Sequence, residues 1–373
     1  MLSLLMLLIF PLVHGQTSCR DQNGKPVDWY YVYKLPVISD YCATCPHVSD
    51  GLAYLYLDAN NPKEWKFSQN SLASENQALA YTLEQMYTNW KKEFNTHIIY
   101  NDQVPHDFGF RESTYRGHAK GVVYFEAEKG FWLIHSVPRF VHPEHYEYPD
   151  SGTRNGQSML CVSFNTAEAL DEIAHQMYYM QPNVYVKGNT LGHSNEYLEK
   201  VFKGYSVRSA PYTREAALMS AGGTEFVHFA KHKKWTEDIY ADLVAPSLHT
   251  SLFVETWLNG NAADLLSVCD KAHGEVHNLR EVRPMGIPFK SSKDHSKWAV
   301  SGEADNPWTC IGDINRQASQ DDRAGGTLCH KHHDVWAAYA SASVSSETCE
   351  SHDVIVATQL EMTVPCSCPL PSE

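Results

Sequence analysis

The spacing of apolar and polar positions alternates between a period of two and a helical period, which predicts a mixed α/β protein. Short runs rich in aromatic and β-branched residues and bounded by Pro, Asp or Gly are typical of strands. These predicted strands are 27–33, 51–57, 97–100, 120–125, 131–136, 161–164, 225–230, 252–257 and 354–358.

Apolar residues three or four positions apart predict helices between these strands. Ser74 and Gln77 form a capping box before the first of them, which continues to about Trp90. The other predicted helices are 166–180, 237–249 and 335–343. Pro246 should end or kink the second of these. No low-complexity linker interrupts the pattern, so we expect one fused unit.

The segment 118–139 is repeated at 295–316, an offset of 177 residues. Both copies begin with His-x-Lys, and the other twenty positions contain five identities, against roughly one expected from ordinary composition. The identical pairs are Val123 and Val300, Glu126 and Glu303, Ala127 and Ala304, Ile134 and Ile311, and Arg139 and Arg316. We interpret this similarity as an internal duplication.

The duplicated His-x-Lys pairs are the candidate catalytic groups: His118 and Lys120 in the first copy, His295 and Lys297 in the second. Alternation along a strand places both side chains of a pair on one face. Two such strands related by a pseudo-two-fold axis would supply two imidazoles and two ammonium groups to one pocket, which suits a phosphodiester. A third His-x-Lys, at 232–234, lies outside the duplication and is interpreted as a solvated basic patch.

Net charge argues against an ordinary nucleic-acid-binding protein, because the chain carries −14 at neutral pH. Nineteen histidines follow residue 15, and protonation of all of them would change −14 to +5. A polyanion would then be repelled at neutral pH and tolerated or attracted at acid pH.

The first fifteen residues are mostly apolar and end at Val13-His14-Gly15, so we expect a secretory signal peptide over 1–15 and a mature domain over 16–373. No later stretch approaches the roughly 20 apolar residues of a membrane span. All ten cysteines follow the signal, which favours disulfides. We expect the Cys42/Cys45 loop to form disulfides with the Cys366/Cys368 tail. The alternative for Cys42-x-x-Cys45 is a redox or zinc site.

Several long motifs extend over nearly the whole mature chain. They are PVDW at 26–29, RGHAKGV at 116–122, GFWLIHSVP at 130–138, LCVSF at 160–164, DHSKW at 294–298, PWTCIGDINR at 307–316 and GGTLC at 325–329. In these motifs the chain resembles the deoxyribonuclease II family. The resemblance implies a phospholipase-D-like α/β fold of two pseudo-two-fold related sheet and helix sandwich halves fused in one chain, at about 16–180 and 181–373. It also implies an acid endonuclease for double-stranded DNA that needs no metal or other cofactor and resides in the lysosome.

The same resemblance implies that His118, His135 and His295 are functionally important. From the residues alone, His135 would be a core histidine packed beside Trp132. Asn315 stands where phospholipase-D-like enzymes have the Asn of a Gly-Ser-x-Asn segment, so it is a candidate for orienting the site. The disulfides that the resemblance implies are Cys19–Cys161, Cys269–Cys349 and Cys310–Cys329.

The predicted mechanism has two steps. His118 attacks phosphorus to give a phosphohistidine while protonated His295 donates to the departing 5′-oxygen, and water then releases a 3′-phosphate. Lys120 and Lys297 would hold the non-bridging oxygens. Only the resemblance assigns His118 rather than His295 as nucleophile.

Two other functions remain open from the sequence: a phospholipase-D-like hydrolase of lipid or RNA, and a catalytically silent secreted binder on the same scaffold. A metal site at 330–334 is less favoured than an exposed histidine cluster, because successive residues seldom converge on one ion. The sequence is compatible with a monomer or a homodimer, and with secretion or lysosomal delivery in the degradation of DNA from dying or engulfed cells.

Overall fold

Two large β-sheets, each built from one part of the chain, form the centre of the molecule. The computed structural model describes residues 16–39, 45–109, 112–260, 262–269, 274–347 and 354–355. The predicted signal peptide lies outside these residues. No helix among them is long and apolar enough to cross a membrane.

The first sheet has the strand order β3-β2-β1-β7-β6-β5-β4-β8 among the described residues, with every neighbouring pair antiparallel. Its strands are β1 Trp29–Lys34, β2 Tyr54–Asp58, β3 Asn61–Phe67, β4 Asn95–Tyr100, β5 Gly121–Glu126, β6 Lys129–His135, β7 Gln157–Phe164 and β8 Val184–Asn189.

The second sheet has the order β18-β17-β12-β11-β14-β15-β16-β10-β9, with β13 paired to β12. The strands are β9 Thr213–Met219, β10 Glu225–Lys231, β11 Leu252–Glu255, β12 Val276–Val282, β13 Phe289–Lys290, β14 Trp298–Ser301, β15 Trp308–Gly312, β16 Gly325–Lys331, β17 Ser343–Ser346 and β18 Val354–Ile355. The β11–β12 pair is parallel, so this sheet is mixed. The predicted mixed α/β class is confirmed.

The helices are α1 Ala78–Asn89, α2 Ala167–Met180, α3 Glu196–Phe202, α4 Ala245–Leu248, α5 Ala318–Asp321 and α6 His333–Ala340. A π-helix at Ile239–Val244 runs directly into α4 at Ala245, and Pro246 lies in the first turn of α4. The 3-10 turns are His106–Phe108, Asp150–Gly152, Pro284–Gly286 and Ser291–Lys293.

The predicted capping box before α1 is wrong. Gln77 caps the helix by itself, since its side-chain oxygen accepts a 2.7 Å hydrogen bond from the Leu79 amide. The Ser74 hydroxyl instead accepts from the Asn76 amide at 3.1 Å. Ser74 therefore stabilises the turn that precedes the helix.

Apolar side chains form three layers around the two sheets. A central layer contains Trp132 of the first sheet and Trp298 of the second, together with the apolar faces of α2 and α6. Outer layers pack α1 against the first sheet and the helix 239–248 against the second. The central layer joins the two sheets into one unit.

Duplicated sequence forms duplicated structure. The β5–β6 hairpin belongs to the first copy and the β14–β15 hairpin to the second, and their first residues, Gly121 and Trp298, are 177 positions apart, the offset of the repeat. Because β15 contacts β6 and β7, the two hairpins lie against each other where the sheets meet. The starts of β5 and β14 therefore lie near the centre of the molecule.

Two of the three implied disulfides are confirmed: Cys19–Cys161 and Cys310–Cys329. Cys45 and Cys269 are also disulfide-bonded. The other four cysteines, Cys42, Cys349, Cys366 and Cys368, lie outside the described residues. The Cys269–Cys349 bond and the pairing of the Cys42/Cys45 loop with the tail stay predictions.

Burial overturns two expectations about histidines. His330 is fully buried, stacks on Phe226 at 4.5 Å and contacts the Tyr31 hydroxyl at 3.1 Å, so 330–334 is not simply an exposed cluster. His232 is also buried and contacts the Ser206 hydroxyl at 3.2 Å, whereas Lys233 is half-buried and Lys234 is exposed. The predicted solvated basic patch at 232–234 is therefore correct for the lysines and wrong for His232. Because burial lowers the pKa of His330 to about 3, protonation of all nineteen histidines, and the +5 charge, is out of reach at moderately acid pH.

Candidate active site

A cavity of about 100 Å³ lies where the two hairpins meet. It brings together the four predicted catalytic side chains and the predicted orienting residue. The lining residues are Gln103, His118, Lys120, Ser136, Pro138, Trp257, His295, Lys297 and Asn315. Each half of the chain contributes one His-x-Lys pair to this cavity.

Each His-x-Lys pair ends one residue before a strand and is held by backbone of the opposite half. The His118 amide donates to the Ala324 carbonyl at 2.8 Å, and the His295 amide donates to the Gly156 carbonyl at 2.9 Å. These reciprocal bonds explain why two distant stretches of sequence enclose one small space. The site exists only when the halves are packed together.

Asp102 is the anionic centre of the first pair. Its carboxylate accepts a 2.5 Å hydrogen bond from Lys120 Nζ, lies 3.3 Å from Arg323 Nη2 and lies 3.8 Å from His118 Nε2. Burial by itself would raise the pKa of Asp102, but Lys120, His118 and Arg323 lower it below its ordinary value. Asp102 is therefore ionised and offsets the charge of the surrounding cations.

His295 has a different environment. Its ring lies edge-on against Trp257, with ring centroids 3.9 Å apart, and its Nε2 lies 3.3 Å from the Asn155 amide nitrogen. Lys34 donates to the Asn155 carbonyl at 2.6 Å and to the Thr153 carbonyl, which holds this loop in place. A side-chain amide can present either its oxygen or its nitrogen, so Asn155 can pair with either charge state of the imidazole.

Burial favours the neutral form of both site histidines in the free protein. Burial, reinforced by Lys297 and Lys120, lowers the pKa of His295 to about 3. Burial and Lys120 likewise hold the pKa of His118 well below its ordinary value, against the opposite effect of Asp102. A bound phosphodiester would supply the negative charge that favours a protonated imidazole.

Two other buried groups change charge near neutrality. Burial and the charge of Lys120 lower the pKa of Lys297 to about 7, while burial raises the pKa of Asp313 to about 7. Below that pH, Lys297 gains its positive charge and Asp313 loses its negative charge. The cavity is therefore more positive at acid pH. This change in charge comes from a buried lysine and a buried aspartate, in addition to any contribution from histidine.

The structure separates the two supporting candidates. Asn315 lines the cavity, and its side-chain oxygen is buried with no hydrogen-bond partner in the described part of the chain. His135 lies behind the cavity, where its Nδ1 accepts from the Val137 amide at 3.2 Å and its ring packs on Phe140. His228 is the histidine beside Trp132, with ring centroids 5.0 Å apart, so the predicted neighbour of His135 was wrong.

Sequence reasoning missed Asp102, Arg323, Trp257 and Asn155. The repeat contains no signal for Asp102, because the residue 177 positions later is Leu279. All four are ordinary residues of loops, and only their distances to the His-x-Lys pairs make them part of the site. Over the described residues, no group of three or more His, Cys, Asp or Glu side chains is arranged to hold a metal ion.

Comparisons with known proteins extend over almost the whole chain. A family model described as deoxyribonuclease II matches residues 18–349. Plancitoxin-1 of Acanthaster planci is 40% identical over 89% of this chain and 92% of its own length. Cell death-related nuclease 6 of Caenorhabditis elegans is 36% identical over 92% of each chain, and deoxyribonuclease-2-alpha of Sus scrofa is 36% identical over 91% of this chain and 92% of its own. The matched range includes both His-x-Lys pairs.

Proposed function

The chain belongs to the deoxyribonuclease II family, and from that premise we propose that it is an acid endodeoxyribonuclease which cuts double-stranded DNA to 3′-phosphate and 5′-hydroxyl ends without a metal ion. Membership makes it a deoxyribonuclease, a phosphodiester hydrolase. The observation that carries the finer proposal is the convergence of His118, Lys120, His295 and Lys297 on one cavity.

In the first proposed step, a ring nitrogen of His118 uses its lone pair to attack phosphorus. The bond from phosphorus to the 5′-oxygen breaks, and that oxygen takes a proton from His295. The 3′-oxygen keeps its bond to phosphorus, which is now bonded to the imidazole. Asp102, 3.8 Å from His118, would stabilise the positive charge that this imidazole gains.

In the second proposed step, water attacks phosphorus and gives a proton to His295, which now acts as a base. The phosphorus–nitrogen bond breaks, and a 3′-phosphate leaves while both histidines return to their starting states. Lys120 and Lys297 would stabilise the charge on the non-bridging oxygens in both steps. Asn315, which lines the cavity, would orient the phosphate by donating hydrogen bonds from its side-chain N–H groups.

Plasmid nicking tests the proposal. At about pH 5, near the lower end of the range in which histidines titrate, we expect the protein with excess EDTA to nick and linearise supercoiled DNA. The new 5′ ends should accept phosphate from a polynucleotide kinase without prior phosphatase treatment. His118→Ala protein, purified in parallel, controls for a contaminating nuclease. Activity that EDTA abolishes, or that acts on phospholipid or RNA but spares DNA, would contradict the proposal.

Asp313→Asn should make activity less dependent on acid pH. As pH rises through about 7, ionisation of Asp313 adds a negative charge near the bound phosphate. The amide cannot ionise, so we expect kcat/KM on DNA at pH 7.5, relative to pH 5.5, to be about three- to ten-fold higher in the variant than in the parent.

Asp321→Asn is the matched control, because burial also raises the pKa of Asp321, to about 6, but the cation that acts on Asp321 is Lys231. Asp313 differs in that the charges of Lys120 and Lys297, which line the cavity, act on it. Its pH profile should follow that of the parent. Superimposable profiles for the parent and Asp313→Asn would assign the whole pH dependence to other groups.

The cellular role is also part of the proposal. A protein with the predicted secretory leader and an active site that becomes more positive at low pH is suited to an acid compartment such as the lysosome. DNA of engulfed or dying cells would be its substrate there. Immunofluorescence of the full-length protein with a lysosomal marker tests this location, and retention in the cytosol would contradict it.

A further inference from the structure

A basic and aromatic surface lies beside the active site, made by Tyr115, Tyr205, Arg208, Lys233 and Lys234. We call it the Tyr115 surface. Tyr115 is 68% exposed and Tyr205 is 50% exposed, which places them among the large apolar side chains most open to solvent in the described residues. Singly exposed aromatic residues are normal on a protein surface, so the cations beside them are what make this surface a candidate binding site.

Cation contacts hold the three segments of this surface together. Lys233 Nζ lies 2.9 Å from the centroid of the Tyr115 ring, and the Arg208 guanidinium lies 5.8 Å from that of Tyr205. Lys234 Nζ donates to the Arg208 carbonyl at 2.9 Å. The side chains are therefore positioned before any ligand arrives.

Charge in this region is opposite to that of the protein as a whole. The segments 113–125, 200–214 and 226–236 contain no Asp or Glu, although the net charge of the chain is −14. Of their nine cations, Lys120, Lys200, Lys203 and Arg214 pair with carboxylates outside these segments, and Lys231 is buried. The other four make no ion pair within the described part of the chain: Arg116, Arg208, Lys233 and Lys234. A local excess of positive charge on an acidic protein indicates an anionic partner.

The surface is continuous with the cavity. Tyr115 is three residues from His118, so their Cα atoms are separated by at most about 11 Å, which is the axial length of roughly three base pairs. Arg323 joins the two regions, since its Nε donates to the Arg116 carbonyl at 3.1 Å while its Nη2 reaches Asp102 at 3.3 Å. A polyanion bound in the cavity would extend over this surface within a few nucleotides.

We propose that the Tyr115 surface binds the backbone of duplex DNA on one side of the scissile phosphate. This inference rests on the proposed function and names where the substrate lies. Lys233, Lys234 and Arg208 supply the charges that displace counterions from phosphates, and the two tyrosines supply hydroxyl donors. Since such contacts are made with the backbone, the surface binds DNA without sequence preference.

The test compares a long and a short substrate. We expect Lys233→Glu/Lys234→Glu to lower kcat/KM on plasmid DNA by about ten-fold or more at 0.1 M salt. The slope of the logarithm of the DNA-binding constant against the logarithm of salt concentration should become smaller in magnitude by about one to two. Cleavage of thymidine 3′-(p-nitrophenyl phosphate), which is too short to reach the surface, should stay within about two-fold of the parent. The milder Lys233→Gln/Lys234→Gln variant should give an intermediate loss.

A matched control reverses the same charge elsewhere. Lys63→Glu/Lys66→Glu changes two exposed lysines of β3, at the edge of the first sheet. Both substrates should be cleaved at the parental rate. Equal loss in this control and in the Lys233/Lys234 variant would assign the effect to net charge alone.

Other outcomes overturn the proposal in distinguishable ways. Parental plasmid cleavage by the Lys233/Lys234 variant would show that DNA does not use the surface, and equal losses on both substrates would place the effect inside the cavity. Anisotropy of a labelled 20-base-pair duplex measures binding apart from cleavage. If the parent binds that duplex without cutting it, the proposed nuclease activity is contradicted while the proposed DNA-binding surface is supported. Binding of anionic vesicles but not duplex would assign the surface to lipid.

Discussion

His295→Ala is expected to lower the rate of DNA cleavage by about 10²- to 10⁴-fold, because the 5′-oxygen of DNA then leaves without a proton. In a pre-steady-state assay, the same variant should release nitrophenolate from thymidine 3′-(p-nitrophenyl phosphate) at a rate much closer to that of the parent. Later turnovers should stay slow, because His295 is also the base of the second step. Nitrophenolate is stable as an anion and needs no acid to depart. Slow cleavage of DNA together with rapid release of nitrophenolate is the behaviour expected when a general acid has been removed.

His118→Ala should differ by losing both activities, since no choice of leaving group replaces the attacking atom. We expect a fall of at least about 10³-fold on either substrate. Quenching the parent during turnover with a denaturant at alkaline pH, where the phosphorus–nitrogen bond is stable, should trap phosphorus on His118. His295→Ala protein should still form this adduct from the nitrophenyl ester.

The opposite pattern would exchange the two roles. If His118→Ala recovers on the nitrophenyl ester and phosphorus is trapped on His295, then His295 is the nucleophile. In that case Asp102 would stabilise a protonated His118 acting as the acid. If neither variant loses activity, the cavity is not the catalytic site.

Arg316→Met is expected to lower the free energy of unfolding by about 3–5 kcal/mol, because it removes one partner of a buried ion pair. The Arg316 side chain is 1% exposed and uses its three nitrogens for three partners. Nε donates to Asp238 at 2.9 Å, Nη1 to the Asn278 side-chain oxygen at 2.6 Å and Nη2 to the Leu266 carbonyl at 3.0 Å. Methionine leaves the Asp238 charge buried and unpaired.

The duplication supplies the matched control for this measurement. Arg139 is the repeat equivalent of Arg316, but it pairs with half-exposed Glu112 near the surface. Arg139→Met should therefore cost at most about 1 kcal/mol in denaturant unfolding with the disulfides intact. Similar losses for both variants would show that the buried position of Arg316 is not what makes it important.

The duplicated arginines show that a local sequence pattern does not determine whether a residue is buried. Both are identical in sequence, and the repeat correctly indicated equivalent hairpins in the two halves. Yet one arginine anchors the buried face of the second sheet and the other lies in a surface loop. Burial depends on what the rest of the chain places opposite a residue, and no local pattern contains that information.

Two of the strands missed by the sequence analysis, which also include β8, β12 and β16, have a related cause. β3 alternates poorly because it is an edge strand with mostly exposed side chains, and β9 is an edge strand of helix-forming Glu, Ala and Leu. Edge strands face solvent and do not need the apolar pattern that defines central strands. The predicted central strands at β1, β5 and β10 were confirmed.

The sequence by itself determined the mixed α/β class, the two copies of His-x-Lys, their equivalent places before two strands, and the family. These properties are local or repeated, so periodicity, spacing and motif likeness contain them. Only the tertiary structure decided that Asp102 and Arg323 stand beside one pair, and Trp257 and Asn155 beside the other. It also decided that Lys297 and Asp313 titrate near neutrality, because burial and charges that are distant along the chain set a pKa.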